Sequence, residues 1–196
     1  IAAVANTEQV PILYGLPERK KFTYVFRVVD DKDVNAFSLP GGFIYVNRGL
    51  PEFAQSDDEL AGVLAHEVVH AAHRHMMKLL AEQNRLQQQV LLPILAYVLL
   101  GRPSSGDAGN VMLAGQLYLQ ARRNTWSIEA ERDADQAAVR FLVKTRFNPV
   151  GLLTFMERLA RKEMGGPQRE LGIFRTHPVS AERSRSLVAV LEELRV

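Results

Sequence analysis

Five residues, His66-Glu67-Val68-Val69-His70, have the types and the spacing of a metal-hydrolase site carried on one helix. Side chains four residues apart lie on the same helical face one turn apart, so both imidazoles can reach a single ion. Glu67 sits about 100° round the helix from His66. From there its carboxylate can take a proton from a water activated by the ion instead of binding the ion itself. This is the metalloprotease arrangement of a His-Glu-x-x-His helix.

A pattern with three fixed positions also arises by chance, and the flanking residues decide between the readings. Ser56-Asp57-Asp58-Glu59 reads as a capping box, with Ser56 at the N-cap and Glu59 reaching back, so a helix starts about three turns before the histidines. Leu60, Val63, Leu64, Val68 and Val69 surround the motif with apolar side chains. Imidazoles on such a buried helix need polar partners, and a metal supplies one.

Zinc in a hydrolase usually takes three protein ligands and leaves one position for water. The chain has no cysteine, so thiolate sites and disulfides are ruled out. A third histidine ten residues after the first would mark the extended motif, but that position is Met76 and no glycine lies between it and His70. His73 is nearly on the stripe of His70, yet a helix carries it about 10 Å along the axis from His66, too far to share the ion. It reads as a supporting or interfacial residue, and His75, on the opposite face, as a surface or packing histidine.

The third ligand is better sought in Ser127-Ile128-Glu129-Ala130-Glu131-Arg132-Asp133-Ala134-Asp135, where carboxylates at helical spacing precede Ala137-Ala138-Val139 and Phe141-Leu142-Val143. A glutamate there can bind the ion while an aspartate one turn later accepts a hydrogen bond from a ligand histidine and fixes its tautomer. Glu129 with Asp133 and Glu131 with Asp135 both satisfy this. The second pair is weakly preferred, because Asp135 lies nearer the apolar run. Without the first motif, the segment would read as a solvated acidic face balanced by Arg122, Arg123 and Arg132.

With these residues in place, the chain resembles the HtpX-like and BepA-like gluzincin zinc metalloproteases, the family that also holds the CAAX prenyl endopeptidases and the mitochondrial inner-membrane quality-control proteases. The resemblance runs through Asn35-Ala36-Phe37-Ser38-Leu39-Pro40-Gly41-Gly42 with Gly49-Leu50, and then His66 to His75. It continues through Glu131 to Asp135 and ends in Thr176-His177-Pro178 with Arg183. It implies Glu131 as the third ligand, within a Glu-x-x-Ala-Asp pattern, and Asp135 as the partner of a ligand histidine. It also implies one Zn2+ per chain and endopeptidase activity on misfolded or misassembled envelope proteins. The implied location is the bacterial envelope, periplasmic or membrane-associated. The ligand types alone would also suit cobalt or manganese. His177 and Arg183 become the candidates for steadying the oxyanion. For His177 the resemblance implies a second role, occupying the fourth metal position and holding the enzyme latent.

The elements that must position these groups follow from the punctuation. Phe22 to Val29, Asn35 to Ser38 and Phe43 to Asn47 read as strands, the last two joined by Pro40-Gly41-Gly42. Phe43, Ile44, Tyr45 and Val46 are the candidate substrate strand, where an extended peptide adds by main-chain hydrogen bonds. After Ser56 the chain reads as helical. The clearest break is a long loop over Gly101 to Asp107. Asn148-Pro149 starts the next helix, Gly165-Gly166-Pro167 ends it, and Ser180 caps a last helix to about Leu194. The expected fold is α+β: a mostly helical, zincin-like catalytic domain over 1–196, with a small, mainly antiparallel sheet over about 20–50 and the helical part over about 56–196.

The chain's 196 residues suit one domain with a proper core, and 47% of them are hydrophobic. A net charge of +2 without a basic run interleaved with aromatics argues against nucleic-acid binding. The metalloprotease reading and the resemblance make polypeptide the expected partner. The first residue is Ile1 rather than a methionine, which fits removal of a leader or anchor. The longest apolar run, Val90 to Leu100, is interrupted by Pro93 and falls well short of the roughly 20 residues of a spanning helix. It reads as a buried helix, or as an apolar surface for peripheral contact with lipid, an envelope protein or unfolded substrate. Two other functions compete with the protease: a zinc-stabilised chaperone or assembly factor with latent or residual protease activity, and a metal-free helical protein. Glu67 favours the enzyme, since a structural zinc site is normally four-coordinate and needs no base.

Overall fold

The computed structural model describes residues 1–7, 23–101, 105–164, 172–173, 177–178 and 180–196. Among the described residues there are three short strands: β1 Val25–Val29, β2 Ala36–Leu39 and β3 Phe43–Asn47. β2 and β3 form the expected antiparallel hairpin, Ala36 opposite Val46 and Leu39 opposite Phe43. β1 lies on the other side of β3 and runs parallel to it, so the order is β1-β3-β2 and the sheet is mixed. The α+β class holds, with one parallel pair that the strand pattern did not reveal. Its cause is local. The Arg48 and Gly49 N–H groups donate to the carbonyls of Val29 and Asp31. A Cβ at Gly49 would sit 2.1 Å from the Lys32 carbonyl oxygen. Only glycine permits that approach, and it holds β1 beside β3.

This order overturns one expectation. β3 is the central strand, so both hydrogen-bonding edges of Phe43, Ile44, Tyr45 and Val46 are already paired. An extended peptide cannot add there. The outer strands are β1 and β2.

Among the described residues there are seven helices: α1 Ala2–Thr7, α2 Gly49–Phe53, α3 Asp57–Ala72, α4 His75–Gly101, α5 Ser105–Leu142, α6 Val150–Met164 and α7 Ala181–Leu194. Ser56 caps α3 by accepting from the Glu59 N–H at 3.2 Å, while the Glu59 carboxylate reaches the Gln55 N–H at 2.8 Å, one residue beyond a standard capping box. Asn148 accepts from the Val150 N–H at the start of α6, and Ser180 from the Arg183 N–H at the start of α7. α3 ends at Ala72, and Arg74 follows with a left-handed φ of 55°. His75 therefore begins α4 instead of continuing the motif helix, and it is buried rather than on the surface.

The chain forms two compact units. The first comprises Ile1–Arg74 and Glu131–Val196. Its core joins α3, the last part of α5, α6 and α7 through Val68, Val69, Ala138, Phe141, Phe155 and Leu187. α3 and α6 touch backbone to backbone: a Cβ at Gly62 would meet Leu152 Cα at 2.7 Å, and one at Gly151 the Asp58 carbonyl oxygen at 2.3 Å. The second unit, His75–Ala130, holds α4 and the first part of α5. There the side chains of Val90 and Ile94 close on Gly115.

The stretch Val90 to Leu100 is helical, but Leu92 is 62% exposed, so the stretch is not simply a buried helix. Among the described residues no helix is long and apolar enough to cross a membrane. Of the expected loop over Gly101 to Asp107, Gly101 belongs to α4 and 105–107 to α5, while 102–104 lie outside the described residues. Serine and aspartate suit a helix's first turn as well as a loop. The expected stop at Gly165-Gly166-Pro167 lies outside the described residues, as does Thr176.

Candidate metal centre

Helix α3 presents His66 and His70 one turn apart, with their Nε2 atoms 2.9 Å from each other. Glu131 of α5 faces both: Oε2 is 3.3 Å from His66 Nε2 and Oε1 is 3.3 Å from His70 Nε2. His177, shortly before α7, brings Nδ1 to 3.0 Å from Glu131 Oε1 and 3.4 Å from His66 Nε2. Its other nitrogen, Nε2, lies 3.2 Å from Glu67 Oε1. All four groups His66, His70, Glu131 and His177 can offer one atom to a common metal ion.

The chemistry of these donors fits a cation. Atoms bound to one tetrahedral zinc at its usual bond lengths lie roughly 3.3–3.4 Å apart, close to the separations of His66, His70 and Glu131. The tautomer agrees. His66 Nδ1 faces Asp135 Oδ1 at 3.0 Å, a pairing that favours the proton on Nδ1 and, in the neutral ring, leaves the Nε2 lone pair toward His70 and the Glu131 carboxylate. Acceptors that converge in a buried space call for positive charge between them.

Burial and the neighbouring charges shift these groups in both directions. Burial works against charge on His66, yet its hydrogen bonds with Asp135 and Glu131 raise its pKa. Burial also opposes charge on His177, but Glu67 and Glu131 push it up to about 10. His70 goes the other way: burial, aided by His66 and His177 and resisted by Glu131, lowers it to about 4. Burial alone would raise Glu67 and Glu131. Instead the field of His177, joined by His70, lowers Glu67 and holds Glu131 well below the usual carboxylate range.

A second layer fixes the first. Asp135 is fully buried and accepts from Arg183 Nε at 2.7 Å and Nη2 at 2.8 Å. Arg183 Nη1 reaches the Pro178 carbonyl at 2.9 Å and Glu131 Oε2 at 3.0 Å. Burial would raise the Asp135 carboxyl, but Arg183 holds it below its ordinary value. All three guanidinium nitrogens are thus engaged. Arg183 is bound to both carboxylates, a set of partners that its expected role at the oxyanion did not include.

A model of peptidase family M48 matches residues 5–191. The chain belongs to peptidase family M48. Over 167 residues it is 28% identical to the beta-barrel assembly-enhancing protease of Escherichia coli, covering 83% of this chain and 33% of that protein. It is 31% identical to the metalloprotease LoiP of Escherichia coli over 164 residues, 83% of this chain and 60% of LoiP. It is also 31% identical to the mitochondrial metalloendopeptidase OMA1 of Schizosaccharomyces pombe over 169 residues, 86% of this chain and 47% of OMA1. The chain thus spans about a third to three fifths of the length of these relatives.

The M48 domain brings together His66, Glu67, His70, Glu131, Asp135, His177 and Arg183. It separates the rival pair: Glu129 is exposed, and Asp133 is bonded to His73 Nδ1. His73 ties α3 to α5 beside the centre without joining it. The apolar wall supplied by α6 was not read from the sequence as part of the site, although Leu152, Phe155, Met156 and Leu159 recur at one-face helical spacing.

Proposed function

We propose that this M48 domain is a zinc-dependent endopeptidase in which His66, His70 and Glu131 hold the ion, and that the whole chain serves as one catalytic domain. The observation that carries this reading is the convergence of the two Nε2 atoms and the Glu131 carboxylate within 3.3 Å of one another, beside Glu67. A metal ion bound there supplies Lewis acidity, lowering the pKa of a water to about 7 and polarising the scissile carbonyl.

The residues do the rest. Glu67, held ionised by its neighbours, accepts the proton of the attacking water and passes it to the leaving amine. His177 carries a proton and faces the same space, so it can donate to the developing oxyanion. Its Nδ1 also lies among the ligand atoms, which supports the alternative role of an inhibitory fourth ligand. Asp135 holds His66 in the ligand tautomer, and Arg183 holds Asp135 and Glu131.

The substrate is polypeptide, and misfolded or misassembled envelope proteins are the class proposed, with a periplasmic or membrane-associated location. Similarity to the relatives named above supports this. The outer strand β2 is the better place for an extended peptide: just before it, the Val34 carbonyl accepts from the Ile173 N–H at 3.1 Å, and Ile173 lines the cleft at His66, Glu67 and His177.

In the second unit, exposed Leu92, Met112, Leu113 and Leu117 support peripheral contact with the membrane or an envelope protein. They also favour a second reading, a zinc-stabilised chaperone or assembly factor with latent protease activity. Removing metal with a chelator and restoring zinc tests the first reading. Casein cleavage is expected to vanish and return with the metal, and cleavage that survives chelation contradicts it.

A further inference from the structure

We propose that His73 and Asp133 are a positioning pair that fixes the roll of α5 against the motif helix and so aims Glu131 at the metal ion. The proposal rests on the reading that His66, His70 and Glu131 hold that ion. His73 is the C-cap of α3, three residues beyond His70, and Asp133 lies on α5, two residues beyond Glu131. His73 Nδ1 is hydrogen-bonded to Asp133 Oδ2, and both residues are buried. Neither belongs to the cluster of His66, His70, Glu131 and His177.

Helix geometry explains why this pair controls a neighbouring ligand. On α5, Asp135 projects about 40° round from Glu131, whereas Asp133 projects about 160° round from it. His66 and His70 of α3 meet the first side, through Glu131 and Asp135, and the C-cap of α3 meets the other through Asp133. A helix held on two sides cannot turn about its own axis. Apolar packing resists such a turn poorly here: in the two turns after Glu131 the apolar residues are Ala134, Ala137 and Ala138, fully buried but too short to interlock deeply with a neighbour. A side chain reaching about 5–6 Å from the axis moves about 1 Å when its helix rolls by about 10°. Metal–ligand bonds keep their lengths to within about 0.2 Å. A roll of a few degrees is therefore enough to spoil Glu131 as a ligand, and the buried His73–Asp133 bond opposes it.

Zinc affinity, from competition with a chromophoric chelator, and the visible absorption of the cobalt-loaded full chain test this in the parent, Asp133→Asn, His73→Phe, and the double variant His73→Phe with Asp133→Leu. Asp133→Asn keeps an oxygen that accepts from His73 and should bind zinc as the parent does. His73→Phe should lower zinc affinity about tenfold or more and change the cobalt spectrum, which reports ligand geometry. The double variant separates positioning from stability, because apolar side chains in place of a buried polar pair are often neutral for folding. It should unfold in urea near the parent midpoint and still bind zinc about tenfold or more weakly. Parent-like zinc affinity and cobalt spectrum in His73→Phe or in the double variant overturn the proposal while leaving the metal ligands in place. Asp133→Asn as weak as His73→Phe also overturns it, since charge and not position would then set the affinity. A parent chain that takes up no zinc overturns the ligand reading, and the positioning role with it.

Discussion

Helix α5 carries one continuous backbone through two environments. Its first part, in the second unit, exposes Met112, Leu113, Leu117 and Tyr118. Its last part, in the first unit, buries Ala134, Ala137, Ala138, Val139, Phe141 and Leu142 completely, and with them Asp135 and Glu131. Two residues before Glu131, Glu129 has the same side chain and is exposed. The difference teaches where a carboxylate becomes useful. In water Glu129 needs no partner, whereas the apolar packing around Glu131 and Asp135 strips their hydration and makes each depend on fixed partners in His66, His70, His177 and Arg183. Apolar packing thus supports the chemistry by holding charged groups where they cannot move away.

The contrast predicts graded effects. Asp135→Asn removes the charge facing buried Arg183 and the partner of His66. It should lower metal affinity about 10–100-fold and cost about 3–5 kcal/mol of stability, measured by metal titration and urea unfolding. Unchanged affinity would mean that the buried carboxylate does not prepare the ligand. Phe141→Ala, in the packed part of α5, should cost about 3–5 kcal/mol through the cavity it leaves, without the metal-specific loss. Ser56→Ala removes the cap of the motif helix and should cost about 1 kcal/mol in the same unfolding experiment. Leu117→Ala, on the exposed part of α5, should stay within about 0.5 kcal/mol of the parent. A loss as large as that for Phe141→Ala would show that this face is covered in solution and would break the contrast.

Much of the centre was legible because it is built from local rules. The four-residue spacing of His66 and His70, the position of Glu67 between them, and the Ser56 cap depend only on helix geometry. Choosing Glu131 over Glu129 was harder, since the two differ by burial in a core assembled from distant segments, and the resemblance supplied that choice. Arg183 was named, but its direction toward Asp135 comes from the packing of α7, which spacing does not encode. The end of α3 was missed because the left-handed Arg74 breaks a run of helix-forming residues without a glycine or proline. The substrate strand failed for a topological reason. Strand patterning identifies β3, but its place between β1 and β2 depends on the close approach at Gly49, a contact between segments.

The most direct test of the account compares zinc content and casein cleavage in the parent chain and Glu67→Gln. About one zinc per chain in both proteins, with cleavage in the parent alone, is the predicted result, because Glu67 moves a proton while His66, His70 and Glu131 hold the ion. Equal cleavage by Glu67→Gln, or a parent chain that takes up no metal, would contradict it.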